Sequence, residues 1–280
     1  MEILHTVEEL RRWARERRGE GKEVGLVPTM GSLHAGHASL IRAAHESCGA
    51  VAVSIFVNPT QFGPNEDYGR YPRSLEADCK LAEAEGATVV FAPAVEELYP
   101  AGAATFVEVA GLSKRLDGTS RPGHFRGVAT VVAKLMIATE ADQGFFGQKD
   151  AAQVAVLRRM VTDLRLPTEI VVCPIVREAD GLALSSRNMY LSAAERRQAL
   201  TLSRTIRQVE KLAAAGEREA NALMEAAWQS FAGEPDVRVD YIELVNWETL
   251  KPVQTGAPGS LFAVAAWVGA TRLIDNAILG

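Results

Sequence analysis

Cysteine is scarce in this 280-residue chain, and Cys48, Cys79 and Cys173 are odd in number, far apart and never spaced Cys-x-x-Cys. That excludes a disulfide framework and a thiolate metal site, and it suits a reducing cytoplasm. Cys48 and Cys173 stand among apolar neighbours and read as core residues. Long apolar runs are missing as well, so no segment reads as a bilayer span. The charged start, with Glu2 and then Arg11 to Arg18, is unlike a signal peptide. Positive charge is not in excess either: the net charge is −5, which argues against a nucleic-acid or anionic-membrane surface. Repeats and low-complexity tracts are absent. What remains, 48% hydrophobic and 23% charged residues, is the composition of a globular chain with room for two domains.

The densest chemistry lies in residues 24–37. Val24 to Val27 is a short apolar run that reads as a buried strand, followed by a turn of small residues, Pro28, Thr29, Gly31 and Ser32. His34-Ala35-Gly36-His37 comes next, and the spacing of Leu40, Ile41 and Ala44 predicts a helix. A glycine turn between strand and helix lets backbone amides approach phosphate, and the helix N-terminus favours the anion. Gly31 and Gly36 are spaced as in a P-loop, but His37-Ala38 stand where that motif needs Lys and then Ser or Thr. The three-glycine dinucleotide fingerprint is also missing. Two imidazoles remain, three residues apart at the mouth of a helix, where both can donate to phosphate oxygens. The plainer alternative is that His34 caps the helix and His37 packs.

Elsewhere the pattern is rhythmic. Thr6, with Glu8 and Glu9 behind it, opens a helix over 6–18. Strands are expected over 51–57, 88–91, 106–109, 143–146 and 170–176. Helices are expected over 74–85, capped by Ser74 and stopped by Gly86, over 123–138, and up to Leu164 before Pro167. Residues 63–73 read as a surface loop. Strands alternating with helices predict an α/β, Rossmann-like parallel sheet covered on both faces, with ligands beyond the carboxyl ends of its strands. From about residue 176 the pattern changes. Ser192 and Glu195 have capping-box spacing at the head of a helix reaching about Ala215, and a second helix covers 217–231. Strands over 239–245, 261–268 and 273–279 follow without helices between them, so antiparallel pairing is expected. The division predicted is a domain of residues 1–175 and a smaller α+β domain of residues 176–280.

Three further clusters collect at expected strand ends. Asn58 and Gln61 offer primary amides to a small polar substrate. Lys149 could meet phosphate while Asp150 binds a ligand hydroxyl, or the pair could be a helix cap beside a solvated lysine. Leu184-Ser185-Ser186-Arg187 sets two hydroxyls beside a guanidinium, which suits a pyrophosphate as well as it suits a polar surface loop.

The segments PTMGSLHAGH (28–37), FVNPTQFG (56–63), RYPR (70–73), RPGHFRGV (121–128), FFGQKD (145–150), VREADGLALSSRN (176–188) and TRLIDN (271–276), in this order over nearly the whole chain, resemble the pantothenate synthetase family. The His-x-Gly-His element alone is common to many adenylate-transferring enzymes; seven segments in order are specific. The resemblance implies a homodimer that joins pantoate to β-alanine with ATP and Mg²⁺ through a pantoyl-adenylate. It places ATP against Met30, Gly31, Ser32, Leu33, His34, Ala35, Gly36 and His37, against Gly147, Gln148, Lys149 and Asp150, and against Val176, Leu184, Ser185, Ser186 and Arg187. Gln61 and Gln153 match pantoate-binding positions, Gln61 also lies near β-alanine, and His37 matches a proton donor.

Chemistry then assigns roles. A carboxylate attacking a polyphosphate needs positioning and charge stabilisation more than a strong base. His34, His37, Lys149, Ser185, Ser186 and Arg187 are the catalytic candidates, with Met30 and Phe62 as apolar neighbours for the pantoate methyls. The adenylate is water-labile, so loop 63–73 and the second domain are expected to act as a lid. Gln148 stands where the family usually carries Glu, and Ala151-Ala152 replaces a bulkier pair before Gln153. Asp78, in an expected helix, reads as a residue of a solvated face more readily than as a Mg²⁺ ligand. Two other readings stay open: transfer of AMP onto a phosphate-bearing acceptor, which would need further basic residues, and a nucleotide-binding module without turnover.

Overall fold

Through Cys173 the chain runs β1 (Glu2–Leu4), α1 (Val7–Gly19), β2 (Val24–Thr29), α2 (Ala35–Ser47), β3 (Ala50–Ile55), α3 (Leu75–Ala84), β4 (Val89–Phe91), α4 (Val95–Leu98), α5 (Asp117–Ser120), α6 (His124–Thr139), β5 (Gln143–Gly147), α7 (Ala151–Leu164) and β6 (Glu169–Cys173). The computed structural model describes residues 1–64 and 66–280; Asn65, within the expected loop 63–73, lies outside the described residues. Chain contacts gather Met1–Gly147 with Val156–Cys173 into one unit, and Gln148–Ala155 with Pro174–Gly280 into a second.

In the first unit the six strands pair in the order β1-β4-β3-β2-β5-β6, parallel throughout. From β2 the chain moves outward to β3 and β4, then returns to lay β5 on the other side of β2. Such a reversal puts the topological switch point between β2 and β5. Val24, Leu26 and Val27 are buried, as a central parallel strand covered on both faces requires. α1 is held by the reciprocal Thr6–Glu9 capping box, and it buries Leu10, Trp13 and Ala14, one face at helical spacing.

Several expectations need correction. Phe106 to Val109 is not a strand: the Val107 amide is taken by Thr130 Oγ1 at 2.9 Å, and Phe106 lies exposed beneath the Arg126 guanidinium. The edge strand β1 is too short, at three residues, to show an alternation in sequence. Ser74 precedes α3 but makes no side-chain cap. In the loop 63–73, Asp67–Arg70 winds into a 3-10 turn.

The second unit contains α8 (Ala193–Ala214), α9 (Ala220–Ala232), β7 (Val237–Asn246), β8 (Ser260–Val268) and β9 (Thr271–Ile278). Its three strands form an antiparallel sheet with β8 in the middle. Leu202, Ile206 and Val209 of α8, Leu223 and Phe231 of α9, and Phe262 and Val264 of β8 share one buried core. Ser192 and Glu195 form the expected capping box. Among the described residues no helix is long and apolar enough to cross a membrane.

One glycine decides how closely α6 meets the turn Pro59–Gln61. A Cβ on Gly127 would lie 2.4 Å from Thr60 O and 2.6 Å from Gln61 N, both backbone atoms that cannot swing aside. Gly127→Ala is therefore expected to lower stability by about 1–3 kcal/mol, as overpacking does, read as an earlier urea midpoint. Gly19→Ala, with nothing within 4 Å of the added carbon, should leave the midpoint unchanged or slightly raised.

Candidate active site

The loop between β2 and α2 is built by satisfying its own amides. Gly31 (φ 82°) and Ser32 (φ 52°) both take the left-handed conformation, which is unfavourable for serine. Asp78 of α3 holds that turn: its carboxylate accepts from the amides of Ser32 at 2.9 Å and Leu33 at 2.7 Å. Asp78 is 3% exposed, so the expected solvated-face residue is in fact a buried anchor, its charge balanced by two N–H bonds. A Cβ at position 31 would reach 2.9 Å from that carboxylate, which is why the turn needs glycine there. The Gly31 amide donates to Thr29 Oγ1 at 3.2 Å.

The two imidazoles close the loop reciprocally. His34 Nδ1 accepts from the Gly36 amide at 3.1 Å, and His37 Nδ1 accepts from the His34 amide at 3.3 Å, with ring centroids 4.1 Å apart. Capping and ligand recognition, read from sequence as alternatives, involve different ring atoms. An Nδ1 that accepts leaves the proton of the neutral ring on Nε2, so each histidine presents Nε2–H as its donor. The amides of residues 31–34 and of Gly36 are thus committed inside the protein. An anion placed at this loop would meet the imidazoles and the N-terminus of the 13-residue helix α2.

At the end of β3, Asn58 is 1% exposed and fully engaged. Its Nδ2 donates to Gln61 Oε1 at 3.0 Å and Gly127 O at 3.1 Å, while its Oδ1 accepts from the Thr60 amide and hydroxyl. Asn58 therefore orients Gln61 instead of presenting its amide to a substrate, a correction to its expected role. The Gln61 amide nitrogen lies 3.0 Å from Met30 Sδ, which brings the loops after β2 and β3 together. Phe62 packs its ring against Tyr68 and Tyr71.

A polar cluster that sequence reasoning left without a role secures the Gln61 backbone. His124 Nδ1 sits 2.9 Å from Gln61 O, and Arg121 Nη1 sits 3.0 Å from His124 Nε2. Arg121 also forks onto Glu66, through Nε at 2.8 Å and Nη2 at 2.5 Å. Burial, and then the Arg121 charge, push His124 down to about 4, against the opposing pull of Gln61 O, Asp117 and Glu66. Burial raises the Glu66 carboxyl, but the Arg121 hydrogen bonds outweigh it and hold the group below its ordinary range. Above pH 6.5 His124 is neutral in both folded and unfolded chains; between 6.5 and about 4 the unfolded chain binds the proton and the folded one does not. The His124 contribution should therefore make stability fall on acidification across that window, by up to about 1.4 kcal/mol per pH unit. Denaturant titrations of the protein and of His124→Asn from pH 7 to 4 measure it: the variant's slope should be shallower.

In the second unit, Lys149 and Asp150 lie in a 3-10 turn that follows β5 and precedes Gln153 in α7. Lys149 Nζ is 3.8 Å from Asp150 Oδ1, and Asp150 is exposed. Val176 and Leu184 face each other across a short bridge, with the Leu184 amide donating to Val176 O at 2.9 Å. Ser185 caps the turn Ser186–Tyr190 through its hydroxyl, which accepts from the Arg187 amide at 3.3 Å. Asn188 ties this turn to Glu178 at 2.6 Å, and Arg196 forks onto Glu178 and Asp180. The Arg196 hydrogen bonds are the main cause holding Glu178 below the usual carboxylate range. Gly147, Gln148, Ser186 and Arg187 are all half-buried, neither core nor free surface.

Among the described residues no group of three or more His, Cys, Asp or Glu could hold a metal ion. Asp78 has both oxygens on backbone amides. A dedicated carboxylate cage is not what Mg²⁺ needs with a nucleotide, since it keeps several waters and binds largely through phosphates.

A family model described as Pantoate-beta-alanine ligase matches residues 2–278. The pantothenate synthetase of Acidobacterium capsulatum is 64% identical, over 92% of this chain and 87% of the relative. That of Koribacter versatilis is 54% identical, over 100% of this chain and 96% of the relative. The crystal structure of pantothenate synthetase from Thermus thermophilus is similar with a TM-score of 0.94 at 45% identity, covering 99% of each chain. The pantoate-beta-alanine ligase from Francisella tularensis, complexed with beta-gamma ATP and beta-alanine, is similar with a TM-score of 0.79 at 33% identity, over 99% of this chain and 97% of that one.

Proposed function

The chain belongs to the pantoate–beta-alanine ligase family, and from that premise we propose that it condenses pantoate with β-alanine, using ATP, to give pantothenate, AMP and pyrophosphate. In the first step a pantoate carboxylate oxygen attacks the α-phosphorus and the bond to the β-phosphate breaks, giving pantoyl-adenylate. In the second the β-alanine amine attacks the acyl carbon, AMP leaves with the carboxyl oxygen, and the amine gives up a proton.

The observation that carries this reading is the reciprocally capped imidazole pair at the head of α2. His34 and His37, each with its donor on Nε2, suit the developing charge on the departing pyrophosphate. Hydrogen-bond donation suffices there, so His37 need not transfer its proton outright. Lys149, Ser185, Ser186 and Arg187 supply the remaining donors, and the nucleotide follows Met30 to His37, Gly147 to Asp150, Val176 and Leu184. Mg²⁺ bound with the nucleotide would neutralise part of the charge that these donors face. Gln61, oriented by Asn58, and Gln153 hold the polar groups of pantoate, with Met30 and Phe62 beside its methyls. Water would hydrolyse the adenylate, so we assign its cover to loop 63–73 and residues 176–280. We read the active species as a homodimer in the cytoplasm, and sedimentation should give twice the chain mass.

Omitting ATP, Mg²⁺, pantoate and β-alanine in turn while AMP is measured tests the assignment. Exchange of pyrophosphate into ATP should require pantoate and not β-alanine. Exchange supported only by a phosphorylated acceptor would replace this reading with the AMP-transfer alternative.

A further inference from the structure

The segment TRLIDN (271–276) has no role in the reaction above, yet two of its polar side chains are almost wholly buried. Asp275 is 2% exposed and Asn276 3%. Asn276 Nδ2 donates to Gln148 O at 3.0 Å and to Lys149 O at 2.9 Å, while its Oδ1 accepts from Gln148 Nε2 at 3.2 Å. The amide thus grips the backbone on which Lys149 is mounted. Asp275 takes Arg177 in a two-pronged pair, Nη1 to Oδ2 at 2.7 Å and Nη2 to Oδ1 at 3.0 Å. Arg177 Nη1 also donates to Gly181 O at 3.2 Å, and residue 177 bridges Ala183, so the same pair closes the turn that leads into Ser185. All these residues belong to the second unit.

We infer that Asp275 and Asn276 are positioning residues for ATP activation: Asn276 sets the Lys149 turn, and Asp275, through Arg177, sets the turn before Ser185, Ser186 and Arg187. Neighbouring side chains of a strand leave it on opposite faces, so one dipeptide of β9 registers two donor groups against each other. This rests on the reading that those groups bind ATP. The amide is specific. Its two N–H groups meet two carbonyl oxygens, and a carboxylate of the same shape would turn lone pairs toward both.

The test compares Asn276→Asp, Asn276→Ala, Lys149→Ala and the Asn276→Ala/Lys149→Ala double variant. Pyrophosphate exchange is measured with ATP, Mg²⁺ and pantoate, and ATP binding with Mg²⁺ present. Displacing a reacting group by about 1 Å can lower a rate by about 10²-fold, so both Asn276 variants should lose exchange on that scale, with the KM for pantoate unchanged. Asn276→Ala should weaken ATP binding in the parent protein but hardly further once Lys149 is alanine, since it acts through that side chain. Exchange within a few-fold of the parent, an equal shift in the KM for pantoate, or full additivity in the double variant would overturn the inference. If Asn276→Asp fails to fold, Asn276→Ala and Asn276→Ser decide the matter, serine retaining one donor and losing less. Unimpaired exchange in Lys149→Ala alone would instead remove the reading on which the inference rests.

Discussion

Lys149→Ala is expected to abolish adenylate formation while leaving the fold intact. The ammonium is the one full positive charge on the turn after β5, and its Nζ lies 3.8 Å from Asp150 Oδ1, too long for a tight ion pair. A contact that long, to the exposed Asp150, contributes little to the protein's stability. In the reaction the balance is different. The transition state spreads negative charge over phosphoryl oxygens, and removing one aligned donor from such a site typically costs about 10²–10³ in rate. Pyrophosphate exchange should fall by at least that factor, with an unchanged thermal melt. Lys149→Arg should recover only part, because a planar guanidinium does not place its charge where a compact ammonium does. Near-normal exchange in Lys149→Ala would leave a non-catalytic nucleotide module as the better reading.

Two substitutions at His37 should separate the structural from the chemical work of one ring. Asparagine carries an acceptor at about the position of Nδ1 and nothing at Nε2. Glutamine reaches the Nε2 position but offers the His34 amide no comparable acceptor. His37→Asn is therefore expected to keep the stability of the loop and lose about 10²–10³ in exchange rate. His37→Gln should keep more activity and lose about 1 kcal/mol of stability, the usual scale for a lost helix cap. Chemical denaturation beside exchange rates reads both. The opposite pattern would show that Nδ1, not Nε2, faces the phosphates.

These predictions differ in how much of their basis is visible in sequence. His34, His37 and Lys149 stand out because their residue types are unusual at a strand–helix junction. Asp78 does not stand out, since a carboxylate in a helix looks the same whether it faces water or the amides of Ser32 and Leu33. Asn58 is legible as a polar residue at a strand end, but only its four hydrogen bonds, to Gln61, Gly127 and Thr60, show that it orients Gln61. His124 and Arg121 lie some sixty residues from the Gln61 carbonyl they hold, and Asn276 lies 127 residues from the carbonyl of Lys149. No local pattern reports a partner at that distance.

The longer strands and helices, the parallel sheet, the antiparallel sheet that follows it and the family were legible in the sequence, though not the three-residue strand β1 or the irregular path of 106–109, because hydrophobic periodicity, caps and short motifs are local properties of a chain. Tertiary structure alone decided which loop amides are already committed, which ring nitrogen of His34 and of His37 accepts from a backbone amide, and which buried carboxylate or amide holds each loop in place. The reason is physical: a hydrogen bond is directional and short, and whether a donor meets an acceptor depends on how distant segments pack.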